Sequence, residues 1–175
     1  MKTMIVTMIF LLILNIDGIS QIKLEGTVNS KYKSIQMDDG TFRYAKYNGE
    51  KEAIYIYNLD NTIWRTINLP LPKNHHLDEV KLISQKVFNK DDLVEIVYSC
   101  VEHTVPDNYE DPTVDFGQVK FTLNIINEMG ESLLRVEDSN EMEIVKSKGG
   151  TKLLVYKHIG ESFSGEDQTL IYNLP

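Results

Sequence analysis

From Ile22 onward, apolar residues recur at every second position and clusters of turn-forming residues separate the runs. Residues 119–125 alternate cleanly, while Leu93-Val94-Glu95-Ile96-Val97-Tyr98 is a β-branched run of the kind that fills a central strand. Apolar residues at helical spacing never extend beyond about two turns. The breaks fall at Asp39-Gly40, Asn48-Gly49, Asp60-Asn61, Asp91-Asp92, Met129-Gly130 and Gly149-Gly150. These residues tolerate positive φ or close a turn with a side-chain oxygen, so the pattern predicts antiparallel hairpins at the breaks.

Laid over one another, the segments repeat. Tyr55-Ile56-Tyr57-Asn58-Leu59 returns as Asn124-Ile125-Ile126-Asn127-Glu128 and again as Leu170-Ile171-Tyr172-Asn173-Leu174. A strand, turn and strand precede each copy, so the unit is a meander of about four strands. The expected fold class is all-β: an antiparallel meander of about three four-stranded repeat units, propeller-like or sandwich-like, after an N-terminal signal segment. Three units are too few for a closed propeller, which uses about four to eight.

The run from Ile54-Tyr55-Ile56-Tyr57-Asn58-Leu59-Asp60-Asn61 through Trp64-Arg65, with Val87-Phe88-Asn89-Lys90-Asp91-Asp92, Asn127-Glu128-Met129-Gly130 and Ile171-Tyr172-Asn173-Leu174-Pro175, resembles the β-repeat region upstream of type IX secretion sorting domains in exported proteins of the Bacteroidota. The resemblance covers residues 32–175 and implies an exported, strand-rich protein, with no catalytic signature among its motifs. The sorting domain itself is absent from these residues, so the expectation is Sec export to the periplasm or the medium.

The first 21 residues fit that expectation. Lys2 supplies the basic start, residues 3–16 are uncharged and largely apolar, and Gly18 and Ser20 are the small residues of a cleavage site. The expected organisation is a signal peptide over residues 1–20, cleaved after Ser20, and a single all-β repeat domain over residues 21–175. The apolar run is short of the roughly 20 residues a membrane-spanning helix needs. No stable membrane span is therefore expected after signal cleavage, and the expected location is secreted or periplasmic.

Charge and cysteine content narrow the partners. With 18 Lys and Arg against 26 Asp and Glu the formal net charge is −8, which argues against nucleic acid, whose binding draws on cations that neutralise phosphate. The single cysteine, Cys100, excludes an intrachain disulfide and reads as a small buried hydrophobe.

Candidate chemistry is sparse. His75-His76 with Asp78 and Glu79 are proper metal ligands, but they follow Pro70 and Pro72 and read as a solvated loop. Asp107, Glu110, Asp111 and Asp115 gather hard oxygen ligands on an inserted stretch over residues 105–117. Calcium is the cation they would suit, although the spacing is not that of a helix-loop-helix calcium site. That insertion is expected to be an exposed contact loop, with Tyr109 as a ligand-binding candidate. Gly149-Gly150 lacks the Lys-Ser/Thr of a phosphate loop, and no Gly-x-Ser-x-Gly elbow occurs.

Tyr55 and Tyr57 share one face of a strand while Ile54 and Ile56 share the other. If the isoleucines face the core, the tyrosines form an exposed aromatic strip, with Trp64 as a further candidate, suited to sugar stacking or protein contact. The leading expectation is an exported non-catalytic β-repeat module with a binding or structural role. It would need no cofactor, and its partner would be surface carbohydrate or another exported protein. The rival is a secreted carbohydrate-active hydrolase with catalytic carboxylates scattered along the chain.

Overall fold

The structure, a computed structural model, describes residues 24, 26–27, 30–103, 119–159 and 166–175. Eleven strands occur among the described residues, all within Lys31–Pro175, which forms one compact unit. Strands β1 (Lys33–Gln36), β2 (Phe42–Asn48), β3 (Ala53–Tyr57) and β4 (Ile63–Asn68) form a first antiparallel sheet in chain order. A second sheet holds β5 (His75–Gln85), β6 (Val94–His103), β7 (Val119–Asn127) and β8 (Ser132–Glu137). The third is a three-stranded meander of β9 (Ser139–Ser147), β10 (Gly150–Ile159) and β11 (Glu166–Asn173). The protein is therefore an all-β repeat of meanders, sandwich-like in its packing, with one strand fewer in the last unit than in the first two. No described helix is long and apolar enough to cross a membrane.

The middle sheet is covered on both faces. On one side Ile35, Ala45, Ile54, Ile56 and Ile67 of the first sheet pack against Ile83, Val94, Ile96, Tyr98 and Ile126 of the second. On the other, Val97, Leu123, Ile125 and Val136 pack against Leu153 and Val155 of the third. Strand β6 supplies side chains to both cores, which explains why it reads as a nearly continuous apolar run while strands of the outer sheets alternate. Burying several Ile and Val side chains on each side, at about 1.5–3 kcal/mol each, outweighs any single polar contact between the sheets.

Hairpins fall where the sequence predicts them. Three turns share one geometry: Met37 to Thr41, Asn58 to Thr62 and Asn127 to Glu131. In each the first residue's N–H donates to the carbonyl of the fifth, and the fourth residue's N–H donates back to the carbonyl of the first. The fourth residue, Gly40, Asn61 or Gly130, takes positive φ, as a type I turn closed by a left-handed residue requires.

Two features depart from the sequence reading. The chain passes from the second sheet to the third at Asp138 alone, a left-handed residue (φ 59°) with no glycine or proline beside it. His75 and His76 open strand β5 instead of lying in a loop, because pairing with Glu102 and Val101 of β6 draws them into the sheet just after the Pro70 to Asn74 connection.

Candidate functional site

The open face of the first sheet gathers the largest set of aromatic side chains among the described residues. Alternation along β2 and β3 sends Ala45, Ile54 and Ile56 inward and Phe42, Tyr44, Tyr55 and Tyr57 outward. Tyr44 lies directly opposite Tyr57 in the register. Tyr32, just ahead of β1, stacks on Tyr57 with ring centroids 5.3 Å apart and an interplanar angle of 18°. Tyr44 lies 5.9 Å from Tyr32, and Tyr55 lies 6.4 Å from Tyr57, both tilted. Ile63, opposite Tyr57, and Phe42 extend the patch and are 57% and 54% exposed.

The electrostatics of this face are simple. Burial against its neighbours, then the adjoining phenols of Tyr32 and Tyr55, hold the Tyr57 hydroxyl above the usual tyrosine value. The face thus presents flat rings edged with hydroxyls that both donate and accept hydrogen bonds. Lys46 is the one charged side chain among the outward positions of the four strands.

Trp64 does not join the tyrosines. Between β3 and β4 the register steps from Ile56–Arg65 to Tyr57–Ile63, which leaves Trp64 as the extra residue of a β-bulge and turns its indole inward, against the first core. There the Arg43 guanidinium sits 3.8 Å and that of Arg65 4.5 Å from the ring centroid. Arg43 also donates to Asn58 Oδ1, and Arg65 Nε reaches Glu128 Oε2, just past β7, at 3.3 Å. The indole and its two cations therefore tie the rim of the first sheet to the second.

The metal candidates among the described residues, His75, His76, Asp78 and Glu79, do not form a centre. Asp107, Tyr109, Glu110, Asp111 and Asp115 lie outside the described residues, as do the rest of the insertion at 105–117 and the signal segment at 1–20. Asp78 accepts the Ser99 hydroxyl at 2.6 Å, Glu79 pairs with Lys81, and His75 Nδ1 lies 3.0 Å from the Lys73 carbonyl. No group of three or more His, Cys, Asp or Glu converges among the described residues. Cys100 is buried on β6, its thiol pushed above the ordinary value by burial and its sulfur 3.4 Å from Asn124 Nδ2.

One buried acidic side chain escapes the sequence reading. Glu95 is fully buried, and its two oxygens accept the backbone N–H groups of Val87, Phe88 and Asn89 at 2.9–3.0 Å and the Ser84 hydroxyl at 3.1 Å. Every donor belongs to β5 or to the β5–β6 connection, so Glu95 fastens that loop and its oxygens face protein donors, not a cleft. A cavity of about 160 Å³ between the second and third sheets is lined by Phe88, Ile125, Leu134, Leu153, Tyr172 and Leu174 among others, and no described carboxylate borders it.

Tyr32, Phe42 and Tyr44 belong to the aromatic face, and sequence reasoning does not single them out. The alternation Phe42, Tyr44, Lys46 against Arg43, Ala45, Tyr47 carries the signal for β2. Tyr32 lies outside any alternating run. Comparison with protein-family models, curated proteins and solved structures finds no match to the chain.

Proposed function

We propose that this is an exported, non-catalytic β-repeat module that acts through the open aromatic face of its first sheet. The observation that carries this reading is the cluster of Tyr32, Phe42, Tyr44, Tyr55 and Tyr57 on a face against which no other described sheet packs. Contiguous apolar surface of this kind favours contact, because covering it is worth about 25 cal/mol per Å². Export rests on Lys2, the uncharged run after it and the Gly18-Ile19-Ser20 ending. The partners that suit flat, hydroxyl-edged rings are surface carbohydrate and other exported protein surfaces.

The test compares the exported chain with its Tyr55→Ser/Tyr57→Ser variant in two assays, retention on isolated surface polysaccharide and association with protein, while monitoring release of reducing sugar. The expected result is association in one assay, lost in the variant at unchanged β-sheet circular dichroism, with no sugar released. Association that survives the double substitution in both assays, or steady release of reducing ends, overturns the reading.

A further inference from the structure

The three sheets repeat in the direction in which they stack as well as in sequence. Ile56, Ile125 and Ile171 occupy the same position of the third strand in successive units. Ile56 is sealed against the second sheet and Ile125 against the third, so in these two units this position faces the sheet that follows. Ile171 points the same way relative to its own sheet and is 67% exposed, paired with Leu154 on a face that no described sheet covers.

The neighbouring position runs the other way. Ile126 packs back on the first sheet and Tyr172 back on the second, whereas Tyr57 has no described sheet before it. Each unit thus has a forward face and a backward face, and these fit each other at both internal junctions. Among the described residues, no sheet covers the backward face around Tyr57 or the forward face around Ile171.

We infer that the two end faces bind each other in a second copy of this chain, so that two chains close a ring of six sheets. This deepens, and rests on, the reading that the aromatic face is a contact surface. The new junctions would continue the mode of packing that already holds the first sheet on the second and the second on the third. Charge favours the pairing as well: the backward face carries Lys46 and no strand carboxylate, while the forward face carries Glu141 and Glu143 against Lys152. A contact between unlike faces either closes a ring or grows into a filament. Six sheets fall within the about four to eight of known closed propellers, and closure buries both ends of both chains at once.

The experiment is the solution mass of the exported chain, measured by light scattering on wild type, Tyr57→Lys, Ile171→Glu and an equimolar mixture of the two variants. Both substitutions are on open faces, and circular dichroism checks that each variant is folded. The expected result is twice the single-chain mass for wild type, the single-chain mass for each variant alone, and restoration of the doubled mass on mixing. In the mixed pair the introduced lysine meets the introduced glutamate across one junction, and the other junction is wild type. A wild type of single-chain mass overturns the inference. If that monomer still binds polysaccharide through Tyr55 and Tyr57, the functional reading stands and only the second-copy partner falls. Dissociation by Tyr57→Lys but not by Ile171→Glu would mean that two aromatic faces meet, and a mass that grows with concentration would mean a filament. Either outcome rejects the ring.

Discussion

Asn58 and Asn127 head turns closed by the same pair of main-chain hydrogen bonds in successive repeats. Their side chains differ in what they add. Asn58 Nδ2 donates to the Thr62 hydroxyl, while Asn127 Oδ1 accepts the N–H groups of Met129 and Glu131 and Asn127 Nδ2 donates to the Glu131 carboxylate. In the first turn Asp60 takes the Thr62 N–H and hydroxyl that no asparagine oxygen reaches, whereas in the second Asn127 holds the backbone donors alone and is the more deeply buried of the two asparagines.

Asn127→Ala should cost about 1–3 kcal/mol, because it strands two backbone donors, and Asn58→Ala a similar amount, because it takes the acceptor from the Arg43 guanidinium and the donor from the Thr62 hydroxyl. Gly130→Ala should cost about 1 kcal/mol through its positive φ, since open space surrounds the site and only the backbone conformation resists. Urea midpoints at constant m-value measure all three. Equal midpoints for Asn127→Ala and wild type would refute the turn's role.

Glu95→Gln should destabilise by about 2–4 kcal/mol, because an amide offers one acceptor oxygen where the carboxyl group uses two, and turns an N–H₂ toward backbone donors. Hydrogen exchange at Val87, Phe88 and Asn89 should accelerate ahead of exchange in β6. Unchanged protection at those three amides would show that the loop holds itself.

The alkaline limit of stability has a definite sign. Burial raises the Tyr98 phenol and the Cys100 thiol above their ordinary values of 10.0 and 9.0. A raised value favours the neutral form in the folded state, so this stability is complete below about pH 9 and is lost as pH climbs from there through the raised values. Circular dichroism should hold through neutrality and collapse on the alkaline side. Tyr98→Phe should cost about 1 kcal/mol at neutral pH, for the lost bond to the Pro70 carbonyl at 3.1 Å, yet move the alkaline collapse upward. An unmoved collapse would place the sensitive group elsewhere.

The exported form should begin at Gln21. Mass spectrometry of the extracytoplasmic fraction reads this directly, and a chain that retained Met1 would refute cleavage after Ser20.

The strands and most turns are legible in the sequence because the first sheet has one inner and one open face, which writes a period of two into β2 and β3, and because Gly40, Asn61 and Gly130 stand where positive φ is needed. The site is legible in part. Tyr55 and Tyr57 follow from alternation, but the bulge at Ile56/Tyr57 shifts the count by one without any residue to mark it, so the inward turn of Trp64 is invisible before the register is known. The crossing at Asp138 is hidden for a similar reason. An aspartate in the left-handed region does there what a glycine would have advertised. Glu95 looks like one polar residue in an apolar strand, since three of its four donors come from a loop that the strand pattern does not position.

The burial of Cys100 makes the molecule its own clock. The thiol is fully enclosed on β6, inside the middle layer of the stack, so a soluble reagent can reach it only when that layer is opened. Its labelling rate is then the product of an opening equilibrium and the reactivity of an open thiol, and comparison with global unfolding separates the peeling of one layer from the loss of all three.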